Sequence, residues 1–292
     1  MRFAIVLAAA FAGWLGVQSD GPSLDKAYRL FYNGRFDESA AMCVALRSGA
    51  DYDLANDELR TTALLFQMRR LLVDADTRDD DKTVGWKACA RCQELATQFI
   101  ADIKHGQAAA RAVLKQHPAD ERALFYLGKL DLNYVWLQLG LLGKKTGWDE
   151  YWEARHSLDA VLKGNPKHVR ARVARAWIDY IVSTRMAWGT RWLLGGGNKK
   201  KAIGALREAA GAETDWVSHA EAEFGLWDML QREKSTAQAA EVARRIAQRF
   251  PENVEIAAYL RGQPQKNKSG GTGTIWMIVL NRAGCLPRFG LR

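Results

Sequence analysis

Histidine is scarce in this chain, and the five present (His105, His117, His156, His168 and His219) form no H-E-x-x-H pair. No G-x-S-x-G elbow occurs either, so neither a zinc-protease helix nor a hydrolase nucleophile can be read from the sequence. The glycine-rich stretch GTRWLLGGGNKKKA is not a phosphate loop: five residues rather than four separate Gly189 from Gly195, and no lysine follows the second glycine directly. Cysteine is limited to Cys43, Cys89, Cys92 and Cys285. Cys89 and Cys92 make one C-x-x-C, but a zinc ribbon needs a second such pair, and haem attachment needs histidine where Gln93 stands. The pair therefore reads as small residues on a helix seam or as a structural bridge. The acidic run DADTRDDD, Asp74 to Asp81, puts Arg78 in the third ligand slot of an EF-hand and reads as a solvated linker. Together these absences predict a protein that is not an enzyme and carries no metal or cofactor.

The formal charge of +9 suggests nucleic acid until its distribution is considered. Arg2 carries one of the nine charges, and Lys266, Lys268, Arg282, Arg288 and Arg292 carry five more in an acid-free tail, leaving +3 for residues 20–262. That is an ordinary solvated surface, and no nucleic-acid partner is expected. The first nineteen residues begin with one arginine, run apolar through FAIVLAAAFAGWLG and end in Val17-Gln18-Ser19, the pattern of a secretory signal peptide. This predicts an exported protein, periplasmic or extracellular, that meets a membrane only through this segment if it stays uncleaved. No cysteine ends the run, so a lipid-modified N-terminus has no acceptor. In an exported chain the four cysteines permit disulfides, and three pairings are open. Residues 263–292 change character, from the linker QPQKNKSGGTGT to an apolar tail without helical period.

Between these ends the apolar residues recur at spacings of three and four, the period of amphipathic helices. Helices are predicted over 56–73 and 83–116, the second with a heptad seam from Cys89 to Val113 that Gly106 is expected to interrupt. Residues 168–210 predict a helix, an irregular hinge stopped by Gly195 to Gly197, and a second helix capped by Asn198. A further pair spans Asp215 to Phe250, and a short capping helix follows over 253–260. Pro118, Pro166 and Pro251 close units, at intervals of 48 and 85 residues.

In the first unit, SLDKAYRLFYNGRFDESAAMCVAL, Ala27, Leu30, Gly34, Phe36, Ser39 and Leu46 follow the order of a tetratricopeptide repeat: a small residue in the first helix, glycine at the turn, an aromatic opening the second helix and a small residue one turn on. The resemblance to the tetratricopeptide family covers most of 23–262, with only this unit near consensus; in the last unit Lys234 replaces the turn glycine. It implies an all-α, right-handed α-solenoid of about five antiparallel helix pairs over residues 20–262, with enlarged inter-helix insertions, preceded by the signal segment 1–19 and followed by the tail 263–292. The function it implies is a cell-envelope scaffold that holds a protein or peptide partner; the alternative is a small-ligand-binding accessory of a transport system, resembling the helical periplasmic components of some solute transporters.

Two groups of residues are candidates for that role. Trp188 and Trp192, in irregular chain beside glycines, are expected with Tyr151 to line a pocket or peptide groove, although bulky aromatics between helices are commonly core. Lys199, Lys200 and Lys201 open a helix where the macrodipole disfavours cations, so they are either solvated or gathered around an anion such as an acidic partner. Asn133 and Asp131 interrupt an apolar helix; Asn133 is a candidate to bind the backbone of an extended peptide, or else bonds to a neighbouring helix.

Overall fold

A computed structural model describes residues 22–47, 53–78, 86–144, 146–186 and 188–262. The signal-like segment 1–19, the tail 263–292 and Cys285 lie outside the described residues. Within them eleven α-helices follow one another without a strand: α1 (Leu24–Tyr32), α2 (Phe36–Arg47), α3 (Leu54–Arg78), α4 (Ala90–Gln116), α5 (Glu121–Val135), α6 (Trp148–Gly164), α7 (Val169–Arg185), α8 (Lys199–Ala210), α9 (Trp216–Arg232), α10 (Thr236–Arg249) and α11 (Val254–Leu260). None of them is long and apolar enough to cross a membrane.

The starts are set by side-chain oxygens or nitrogens that accept from the orphan amides of the first turn. Ser23 caps α1, Asp120 α5, Asn198 α8, Asp215 α9 and Asn253 α11, each accepting from the amide three residues on. His168 does the same for α7 through Nδ1, 3.1 Å from the Ala171 amide. Asn198 thus caps as its sequence position predicts.

Three local expectations are corrected. The acidic stretch read as a linker from Asp74 is helical as far as Arg78, because α3 runs on past the predicted end at Val73. The helix expected from Thr83 starts at Ala90, after a 3-10 turn at Trp86–Ala88, with Cys89 as its cap and a Cys89–Cys92 disulfide closing its first turn. Gly106 does not break α4. A Cβ there would stand 2.7 Å from Leu130 Cδ1 and 3.0 Å from Asp57 Cβ, so the glycine lets α3 and α5 approach the helix closely. The seam itself is buried at Cys92, Phe99, Ile103 and Ala110, while Val113 is exposed.

Each helix packs against the next, and α3 also against α1 and α5, α7 against α9. The first and last of the described helices meet as well. Trp216 of α9 donates its indole N–H to Asp25 of α1 at 2.7 Å, the Tyr32 ring stacks on Phe224 at 5.3 Å, and the Asn253 amide donates to the Tyr32 carbonyl at 2.8 Å. Aromatic pairs of this kind are worth ~0.5–1.5 kcal/mol beyond their buried area. Helix α1 is thereby covered by α9 to α11, and the odd-numbered helices α1, α3, α5, α7 and α9 come to face one another.

Candidate functional site

The facing sides of α3, α5, α7 and α9 share one register. On a helix, positions i, i+4 and i+7 lie on one face. Position i is Glu58, Lys129, Arg170 and Glu221; position i+4 is Thr62, Asn133, Ala174 and Gly225; position i+7 is Leu65, Trp136, Trp177 and Asp228. The four charges at i form a buried square in which each carboxylate touches both cations. Lys129 Nζ lies 2.6 Å from Glu221 and 3.4 Å from Glu58, and Arg170 lies 2.5 Å from Glu221 and 3.0 Å from Glu58.

This layer is electrically closed. Burial, the largest influence on Glu221, works against its carboxylate, but Arg170 and Lys129 overcome it and hold the group down to about 2. Burial likewise opposes the Lys129 ammonium and is outweighed by Glu221 and Glu58, so Lys129 is raised. Tyr28 of α1 lies against the square, its hydroxyl 3.5 Å from Glu58, and its burial pushes the phenol well up.

The next layer explains why space remains. Thr62, Asn133, Ala174 and Gly225 are small or short, and the layer beyond them brings in the indoles of Trp136 and Trp177. Four small residues between a layer of ion pairs and a layer of large rings leave a partly open cavity of about 100 Å³. Its walls include Leu65, Phe66, Leu132 and Val173 besides the two tryptophans. Trp136 starts a π-helical turn, Trp136–Leu141, where α5 widens; such bulges occur often at functional sites. Gly225 gives Trp177 room, since a Cβ there would meet its indole nitrogen at 3.2 Å.

Two arginines border the far side. Arg232 pairs with Asp228 through both carboxylate oxygens, at 3.1 and 3.2 Å, and lies over the Trp177 ring at 5.3 Å. Arg69 is different: only 3% exposed, it lies over the Phe66 ring at 5.0 Å, no carboxylate among the described residues is within ion-pair distance, and Nε and Nη2 have no hydrogen-bond partner. Burial pulls its guanidinium down to about 9, still charged at neutral pH.

Of the residues singled out in the sequence, only Asn133 lines this cavity, and its amide donates to Thr61 and Thr62 of α3 at 3.0 and 2.9 Å, the bond to a neighbouring helix. Tyr151 is buried and ties the hinge, donating to the Leu194 carbonyl at 2.8 Å. Trp188 opens the hinge's 3-10 turn, Trp188–Leu194, and Trp192 in the same turn is 73% exposed, outside the cavity. Lys199 pairs with Glu233 at 2.6 Å, which supplies the anion at that helix start; Lys200 and Lys201 are exposed. Tyr151 thus meets the hinge at Leu194, Asn133 lies in the cavity and Lys199 faces Glu233, three separate places.

Asp131, on another face of α5, accepts from Gln107 at 2.6 Å, and its second oxygen is buried without a partner. Burial, with the charge of nearby Glu153 added, pushes it up to about 8. No group of three His, Cys, Asp or Glu that could hold a metal occurs among the described residues.

No family model, curated sequence or solved structure matches this chain. The site's reading thus rests on its own geometry. Sequence reasoning missed Glu58, Arg69, Lys129, Arg170 and Glu221, each of which looks like a solvent-facing charge in isolation. The available signal was their recurrence: in three of the four helices a charge precedes a small or amide residue by four and an aromatic or apolar one by seven.

Proposed function

We propose that this protein is a non-enzymatic binding protein that holds a small ligand in the cavity between its odd-numbered helices. The architecture we propose for it is a tetratricopeptide-like right-handed solenoid of five helix pairs, α1–α2 through α9–α10, with α11 as a cap, curved until its ends touch. Export to the cell envelope, expected from the first nineteen residues, belongs to the same proposal, and a helical ligand-binding accessory of a transport system fits both.

The observation that carries this reading is the layer of small residues, Thr62, Asn133, Ala174 and Gly225, held open between buried ion pairs and two indoles. A well-formed, mostly apolar pocket with a few convergent polar groups is the usual form of a small-molecule site. An extended peptide on the inner face would have to displace ion pairs that already satisfy one another. The peptide-scaffold reading keeps one favourable observation on the outside: Trp192 and Leu193 are 73% and 50% exposed side by side, the exposed Lys200 and Lys201 follow within ten residues of sequence, and the stretch would suit an acidic peptide.

Trp136 and Trp177 make the test direct. Native mass spectrometry of the purified full chain, with intrinsic fluorescence titrated against a small-molecule panel, should show a non-covalent ligand and an emission change. Ala174→Leu, which fills the cavity, should abolish both while leaving the helical circular dichroism intact. An emission change that persists in Ala174→Leu, or none with any compound, removes the cavity as the site. Capture of an acidic peptide that Trp192→Ser abolishes would move the function to the outer hinge.

A further inference from the structure

Resting on the cavity reading, we infer that the ligand is a small carboxylate with an apolar body, and that Arg69 is the anchor for its charged end. A buried polar group is normally bonded, and a buried charge normally paired. Among the buried polar atoms that lack a partner, Nε and Nη2 of Arg69 are the ones belonging to the cavity wall. The remaining charged, amide and hydroxyl groups of the wall are answered within the protein. Glu221 and Lys129 belong to the square, Asn133 and Thr62 bond each other, and Arg232 is held by Asp228. Asp228 and Glu255 act on Arg69 only from beyond ion-pair distance, and Asp228 is engaged by Arg232 from the same helix, one turn away.

The shape of the demand is specific. A guanidinium presents paired N–H groups in a planar fork that matches a carboxylate. Phe66, Leu65, Leu132 and Val173 around it offer contact to carbon only, and Trp136 and Trp177 add ring faces with a single neutral N–H each, so the wall holds no second unpaired charge. A dianionic phosphate would bring two charges to one unpaired cation, whereas a monocarboxylate with an aromatic or short aliphatic body brings one charge and fills the apolar space.

Isothermal titration of the full chain with phenylacetate, benzoate and hexanoate, beside phenylacetamide, benzamide and inorganic phosphate, tests this. Carboxylates should bind at least tenfold more tightly than their amides. Arg69→Met should erase that preference without lowering the thermal midpoint, since it removes a charge that has no ion-pair partner; Arg69→Lys should restore part of the preference. Amides binding as well as carboxylates, or Arg69→Met binding carboxylates undiminished, would overturn the anchor and leave the cavity reading in place. Phosphate competing at equal affinity would overturn the apolar-bodied class. A lower midpoint in Arg69→Met would mark the arginine as structural and overturn the assignment. Binding by neither carboxylates nor amides, with fluorescence unmoved, would take the cavity reading down as well.

Discussion

On one side of the cavity four buried charges answer one another; on the other, Arg69 has an aromatic ring beneath it and, among the described residues, no carboxylate within ion-pair distance, although Asp228 and Glu255 act on it from further off. Asp131 supplies a third case a few residues away on α5, a carboxyl with one amide partner and a second carboxyl nearby, which burial drives toward its neutral form. The lesson is that this protein treats buried charge in three ways: it pairs it, neutralises it by protonation, or leaves it waiting. Only the last is a feature that folding by itself does not explain.

The comparison can be broken most severely at the square. Glu221→Gln leaves Lys129 and Arg170 sharing Glu58 alone, and removing one partner of a buried ion pair costs ~3–5 kcal/mol. Urea unfolding should show that loss, and acid should mimic it: Glu221 is depressed, so its stabilisation is full above the ordinary carboxylate value of 4.5 and is lost as pH falls toward about 2.

Asp131 has the opposite sign. Its folded-state value is raised from 3.8 to about 8, so the contribution of this group is greatest below about pH 4 and is lost as pH rises through 8. Asp131→Asn keeps an acceptor for Gln107 and should remove that slope, leaving the variant ~1–3 kcal/mol more stable than the parent at pH 8 and nearly equal at pH 4. Parallel pH–stability curves for the two would refute the assignment.

Arg69→Met, in ligand-free protein, should gain ~1 kcal/mol rather than lose it, the contrast with Glu221→Gln that sharpens the difference between the cavity's sides.

The smallest effect concerns backbone. The turns after α1 and α9 are alike: Gly34 and Lys234 have φ +79° and +57°, and each is followed by an amide that bonds five residues back, Arg35 to Leu30 and Ser235 to Leu230. Glycine takes this left-handed conformation freely and lysine does not. Lys234→Gly should therefore stabilise by ~0.5–1 kcal/mol, measured by chemical denaturation, while Gly34→Ala should cost a comparable amount.

That pair of turns also shows what the sequence could tell. The helix-hinge-helix over 168–210, the cap at Asn198 and the short last helix are local properties of spacing and turn chemistry, and they appear where the residues indicate. Lys234 stands where the repeat pattern has glycine, and the turn forms all the same, because the flanking helices impose the conformation on a residue that disfavours it. The site was less legible. Glu58 and Arg69 sit on a helix covered by α1, α2, α4 and α5, so a face that reads as polar and exposed is in fact interior. Aromatic content was a poor guide for the same reason: Trp136 and Trp177 reach the cavity, whereas Trp192 points to solvent, and nothing in their local sequence separates them.

The contact between Asp25 and Trp216 spans 191 residues, and that between Tyr32 and Asn253 spans 221. During synthesis the first helix therefore leaves the ribosome long before its cover exists, and its tyrosines stay wet until the last third of the polypeptide follows. A stop codon between α8 and α9 would delete three helices yet disable more than those three, since the fourth corner of the ionic square and the cover over α1 would vanish with them. Open helical arrays tolerate shortening repeat by repeat; one whose last described helices close over α1 should not.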